Sequence, residues 1–173
     1  MKDFLGIIAV SVLGSVLYGI GQDLVTTRLC VEYFTIGHVR IIDSEDPTAL
    51  AFAWGVRASW WAGLFLGILL ACAARLGQRP KRTLRSMLKP IAGLMIVMAV
   101  FAFGAGVVGY MMGSSGNLVL HPQILAQLPA SARVPFQICS FAHSMSYNVA
   151  FVGGGMLIAW VWVSRKRLRA ASR

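Results

Sequence analysis

The sequence predicts an all-α polytopic membrane protein, a bundle of four transmembrane helices with a short interfacial helix in the outer loops. Three observations predict it. Four apolar runs, 4–21, 49–74, 90–112 and 136–164, are each long enough as a helix to cross a hydrocarbon core of about 30 Å. Arg57 is the one formal charge inside them. The charges between the runs are sorted by sign: Arg75, Arg79, Lys81, Arg82, Arg85 and Lys89 follow the second run without an acid, while Asp23, Glu32, Asp43, Glu45 and Asp46 all lie between the first and second.

Composition narrows the class further. The chain has 173 residues, 57% of them hydrophobic and 13% charged, and ordinary soluble domains carry about 25% charge. A single integral membrane domain over 1–173 accounts for this, with spans expected at about 4–22, 49–74, 90–112 and 141–164. The net charge of +10 would suit a nucleic-acid binder, but eleven of the sixteen basic residues sit in two segments flanking membrane runs. Basic clusters beside spans hold those ends in the cytoplasm and meet anionic lipid head groups, so no nucleic acid is expected. Arg79, Lys81, Arg82, Arg85, Arg165, Lys166 and Arg167 are the candidate head-group contacts. The same rule places both termini in the cytoplasm and turns 23–48 and 113–135 outward.

The first run follows Lys2 and Asp3 and ends in small residues, the outline of a secretory signal, but it has a weak basic start and no Ala-x-Ala site. An uncleaved helix is the expectation. The segment Leu24–His38 has no glycine or proline before Gly37 and reads as a helical extension bending onto the outer membrane surface. Asp46-Pro47 reads as an N-cap acid followed by proline at the first helical position of span two. Gln78-Arg79-Pro80 is expected to end that span, a basic segment to run on to Lys89, and Pro90 to open the third. Gly113 to Asn117 is expected to stop the third span, and the proline-punctuated connection after it to hold one short helix.

Small residues mark the expected helix seams. Gly55, Ser59, Gly63 and Gly67 recur every four positions in span two, and Gly109 with Gly113 does the same in span three. In lipid, helices associate through close backbone approach at such positions. Trp54, Trp60, Trp61, Trp160 and Trp162 fit aromatic belts at head-group depth. Cys30 and Cys139 both fall on the outer side; small buried residues and an oxidised pair remain alternatives.

The residues that could carry chemistry gather in the outer half. Gln22, Asp23, Glu32, His38, Arg57, His143 and Tyr147 form the candidate polar site, and Glu32, His38 and His143 the candidate metal ligands, since imidazole and carboxylate are the usual donors. No ligand spacing of a known motif accompanies them. Arg57 lies about 15 Å into its helix from Pro47 and needs a partner or a route to the surface. An ion pair with Asp23, covered by Trp54 and Trp61, is one expectation; snorkelling is the other.

The stretch Tyr18-Gly-Ile-Gly-Gln-Asp23, then Thr26 through Glu32-Tyr-Phe-Thr-Ile-Gly-His38, with Trp54-Gly55 and Trp60-Trp61-Ala-Gly63, resembles a family of uncharacterised small four-span bacterial membrane proteins. The resemblance covers about the first 75 residues and implies a four-span protein of the bacterial envelope, which together with the charge sorting makes the inner membrane the expected location. Members often carry His-Asp where this chain has Gln22-Asp23, which weakens a metal reading there. It implies no activity or cofactor. Three function classes follow: a structural or accessory membrane component, self-assembling or joined to a larger membrane complex; a metal- or haem-dependent redox enzyme with an outward His/carboxylate site; and a small transporter or channel subunit. Whether the chain is an enzyme stays open at this point.

Overall fold

A computed structural model describes the backbone of residues 1–171 and the side chains of residues 1–165. The fold is all-α. Its elements are α1 (Lys2–Leu29), α2 (Glu32–Thr35), α3 (Pro47–Arg75), α4 (Leu84–Ser114), α5 (Pro122–Gln127), a 3-10 turn (Ala130–Ala132) and α6 (Arg133–Ala171). Four of the helices, α1, α3, α4 and the described part of α6, are long and apolar enough to cross a membrane. Large apolar side chains such as Phe103 and Met156 are mostly exposed along these helices. Water would penalise that surface and lipid does not, so the chain is a polytopic membrane protein.

The helices form a ring. α1 packs closely along α3, α4 closely along α6, and the two pairs meet more loosely through α3–α6 and α1–α4. Small residues set the tight seams. A Cβ added to Gly55 would lie 2.5 Å from the Ile20 nitrogen, and one on Gly63 would lie 2.8 Å from the Ser11 carbonyl oxygen. Ser59 donates to the Gly55 carbonyl, so its hydroxyl adds no unmet group to the seam. Gly67 meets Ser11 in the same seam. Between α4 and α6, a Cβ on Gly109 would lie 3.1 Å from the Gln137 carbonyl oxygen, and one on Gly113 would lie 3.2 Å from Val134.

Each end of the ring is closed by a packed cluster. At the acid-bearing end Cys30, Tyr33, Phe34, Leu50, Trp54, Leu128, Phe136 and Cys139 pack together. At the basic end Ile7, Leu70, Met87, Ile91 and Val161 do the same. Cys30 and Cys139 are free thiols within one cluster.

Several sequence expectations need correction. The segment 24–38 does not lie on the surface: α1 runs on to Leu29, the chain turns at an extended Cys30, and α2 folds inward. Tyr33 and Phe34 drive this, since they bury 92% and 97% of their surface against the bundle. The helix that carries the third run begins before Pro90. Thr83 caps α4, the Leu84 nitrogen donates to Asp3 Oδ1 at 3.1 Å, and the helix passes through Pro90. Helix α6 starts at Arg133, well before 141; Pro135 falls in its first turn, where no intrahelical N–H bond is lost. By contrast, Asp46 caps α3 as read, with Oδ1 accepting from the Ala49 nitrogen at 2.7 Å and Pro47 in the first turn.

The basic end also departs from a simple lipid-facing patch. Arg165 is fully buried. It donates to the carbonyls of Ala73, Leu76 (2.9 Å), Arg79 (3.0 Å) and Pro80 (2.7 Å), closing the C-terminal end of α3 where helix carbonyls lack partners. It is therefore not a head-group contact. Arg79 stacks 4.1 Å from the Trp162 ring, and Arg82 donates to Ser164 Oγ at 2.9 Å. Arg75 pairs with Asp3 at 3.2 Å. Lys81 and Arg85 are exposed. The side chains of Lys166 and Arg167 lie outside the described residues.

Candidate functional site

The loose junction between the two helix pairs holds an elongated, partly open cavity of about 300 Å³. Its shaft is apolar, lined by Leu66, Leu70, Ile91, Met95 and Leu157 among others. Its head is polar and lies toward the acid-bearing end. Helical spacing brings the head together. Tyr18, Gln22 and Thr26 repeat every four positions on α1, and Asp23 is Gln22's neighbour. On α6, Cys139, His143 and Ser146 recur at the same kind of interval, with Tyr147 beside them.

Asp23 is 3% exposed and faces His143, with Oδ1 3.5 Å from Nε2. The same Nε2 lies 2.9 Å from Thr26 Oγ1. The imidazole stacks on Tyr33 with centroids 4.7 Å apart. Lower in the head, Tyr18 and Ser146 hydroxyls are 2.9 Å apart, and Ser146 donates to Gln22 Oε1 at 2.8 Å. Gln22 Nε2 is buried without a hydrogen-bond acceptor. Tyr147 donates to the Ala58 carbonyl at 3.2 Å.

Above the head sits an aromatic cover. His38 donates from Nδ1 to the Tyr33 carbonyl at 2.7 Å, since a carbonyl can only accept. Its ring lies 4.9 Å from Trp54, which in turn stacks on Phe34 at 5.7 Å. The inward fold of α2 places this cover, and Cys30 forms its base. Burial, helped by the hydrogen bond it donates to Glu32, pushes the Cys30 thiol up to about 12. Burial likewise raises the Tyr33 hydroxyl.

Of the residues expected from sequence, Gln22, Asp23, His38, His143 and Tyr147 line the cavity. Two do not. Glu32 accepts from Cys30 beside the cover instead. Arg57 is exposed, and among the described residues no acid lies within ion-pairing distance of it. Its helical phase explains this: Gly55 faces α1, and two residues at about 100° each turn Arg57 to the far side of α3. Trp54 and Trp61 make no cation–π contact with it among the described residues. The expected metal set also fails to form. Glu32, His38 and His143 are each directed to a different neighbour, and among the described residues no three His, Cys, Asp or Glu side chains converge as metal ligands would.

Thr26 and Ser146 were not singled out by sequence, although each sits three residues from a chosen partner, Asp23 and His143. Gln137 was also missed. Fully buried, it donates to Gly109 and Asn117 carbonyls, both at 3.1 Å, and accepts from the Val119 nitrogen at 2.6 Å, pinning the loop after α4. Family models, curated proteins and solved structures give no match to this chain.

Proposed function

We propose that this protein is an accessory component of a bacterial cytoplasmic membrane that houses a small amphipathic molecule inside its bundle. Both termini face the cytoplasm and the polar head of the cavity lies toward the outer leaflet. The supporting observation is the cavity itself: about 300 Å³, apolar along its shaft and polar at one end, within the size range of small-molecule sites. A purely structural bundle has no use for such a void, because unfilled space forfeits dispersion contacts. The sorting of arginines and acids supports the orientation. Among the described residues the donor geometry lends no support to a metal-dependent redox role.

Native mass spectrometry of the full-length protein released directly from its own membranes tests this. One bound small molecule per chain is expected, and Ala62→Phe, which pushes a ring into the shaft from a lining position, should abolish it. Bare protein in both cases would defeat the proposal. For orientation, reporters fused after Arg173 and within 113–121 should read cytoplasmic and external respectively; the opposite pattern would reverse the assignment.

A further inference from the structure

We infer that the basic end of the bundle holds one anionic phospholipid, with its phosphate on Arg79 and one acyl chain in a groove between α3 and α6. Neither the site nor its test depends on the cavity proposed above.

The anion follows from charge. Four arginines interlock at this end. Arg165 donates to the Arg79 carbonyl at 3.0 Å, Arg75 to the Arg82 carbonyl at 2.8 Å, and Arg82 to Ser164 Oγ at 2.9 Å, next to Arg165. The guanidinium carbons of Arg79 and Arg165 lie 4.1 and 5.9 Å from the centre of the same Trp162 ring. Of the six acidic side chains in the sequence, Asp3 alone belongs to this end. It is taken by Arg75 at 3.2 Å and by the Leu84 nitrogen. No acidic side chain follows Asp46, so the sequence holds no second carboxylate for the cluster. Like charges this close repel, the more so where hydrocarbon borders them, and an anion from outside relieves it.

Arg79 is the member placed to meet that anion. It gives Nη1 to the Trp162 carbonyl at 3.1 Å, and a guanidinium has five N–H groups. Paired N–H donors suit a phosphate closely. Arg165, by contrast, is fully buried and directed to four carbonyls.

The acyl chain follows from the groove that starts at Arg79. Cys72, Ala73 and Leu76 line one side, and Gly155, Ala159 and Trp162 the other. The three α6 residues share one helix face, and Gly155 to Trp162 covers about 10 Å at 1.5 Å per residue. The groove is open, since a Cβ on Gly155 would meet nothing within 4 Å. Trp162 is both the end of this apolar channel and the platform under the Arg79 guanidinium. That continuity selects a phosphate carried on hydrocarbon over a free anion, which would leave the channel unfilled. A zwitterionic lipid would bring its own cation to the crowded arginines. Basic pockets between transmembrane helices are suited to anionic head groups for this reason.

Native mass spectrometry of the full-length chain in detergent tests this, with equal amounts of phosphatidylglycerol and phosphatidylcholine carrying the same acyl chains. The first lipid bound should be phosphatidylglycerol by at least tenfold, and later ones should show less than twofold preference. Arg79→Gln should cut the first preference at least fivefold. Lys89→Gln removes the same charge from an exposed position on α4 and should leave the preference within twofold. Ala159→Phe fills the groove from an exposed position and should weaken the first phosphatidylglycerol at least fivefold. Equal uptake of both lipids by the wild type overturns the site without any variant. Equal losses in Arg79→Gln and Lys89→Gln would mean a diffuse basic surface, and full binding by Ala159→Phe would put the chain elsewhere; either overturns the assignment. A cavity occupant is told apart by its mass and by its loss in Ala62→Phe, which should keep the phospholipid.

Discussion

Replacing Gly55 by alanine should destabilise the bundle more than its chemistry suggests. The new Cβ would sit 2.5 Å from the Ile20 nitrogen and 2.6 Å from its Cα, both backbone atoms that cannot swing aside. Ordinary contacts between such atoms lie near 3.5–4.0 Å, so α1 and α3 must separate by about 1 Å along this stretch. Overpacking of this kind costs about 1–3 kcal/mol, partly offset by the higher helix propensity of alanine, about 1 kcal/mol. A net loss of about 0–2 kcal/mol is expected. Gly104→Ala is the control: it is exposed on α4 with nothing within 4 Å of the added carbon, so it should be neutral or slightly stabilising. Reversible unfolding in mixed micelles, followed by tryptophan fluorescence, measures both. If the two variants were equally stable, close approach at Gly55 would not be what holds α1 to α3.

The basic end supplies a second expectation. Arg165→Met removes a charged donor from four carbonyls at once and should lose at least about 3 kcal/mol in the same assay, because buried acceptors would be left unmet. Arg165→Lys, with one ammonium in place of the fork, should lose less. A third concerns pH. The folded chain holds the Cys30 proton up to about 12, against an ordinary thiol value of 9.0. The stabilisation is therefore complete below about pH 9 and lost as pH rises toward 12. Cys30→Ala should flatten the decline of stability over that window, and Cys30 in the folded wild type should resist maleimide at pH 7 until the protein is unfolded.

Much of the fold was legible because lipid imposes a coarse rule: a run must be long and nearly free of charge. The four runs satisfied it, and Asp46-Pro47 marked a helix start through local capping chemistry alone. The small residues at Gly55, Ser59 and Gly63 were readable for the same reason, since their spacing is a backbone property. What escaped depends on tertiary contact. Nothing local distinguishes an α2 lying on the membrane from one whose Tyr33 and Phe34 find Trp54 and Phe136. Arg165 looks like any other basic residue at a membrane edge until α3 ends beneath it. An Arg57–Asp23 pair is one of the two outcomes sequence offers, because Asp23 lies at or above the level of Arg57 in the bundle. Approximate level is legible in the sequence, but rotation of α3 is fixed by which face its glycines need. That rotation leaves Asp23 to His143, a partner 120 residues away that spacing could not nominate.

The contact that heads the cavity can be measured directly by two double-mutant cycles in the unfolding assay. Asp23→Asn with His143→Gln should show a coupling of about 0.5–3 kcal/mol, and Asp23→Asn with Arg57→Leu should be additive within about 0.5 kcal/mol. Coupling to Arg57 together with additivity at His143 would mean that α3 is rotated from its place here and that the polar head of the cavity is wrongly assembled.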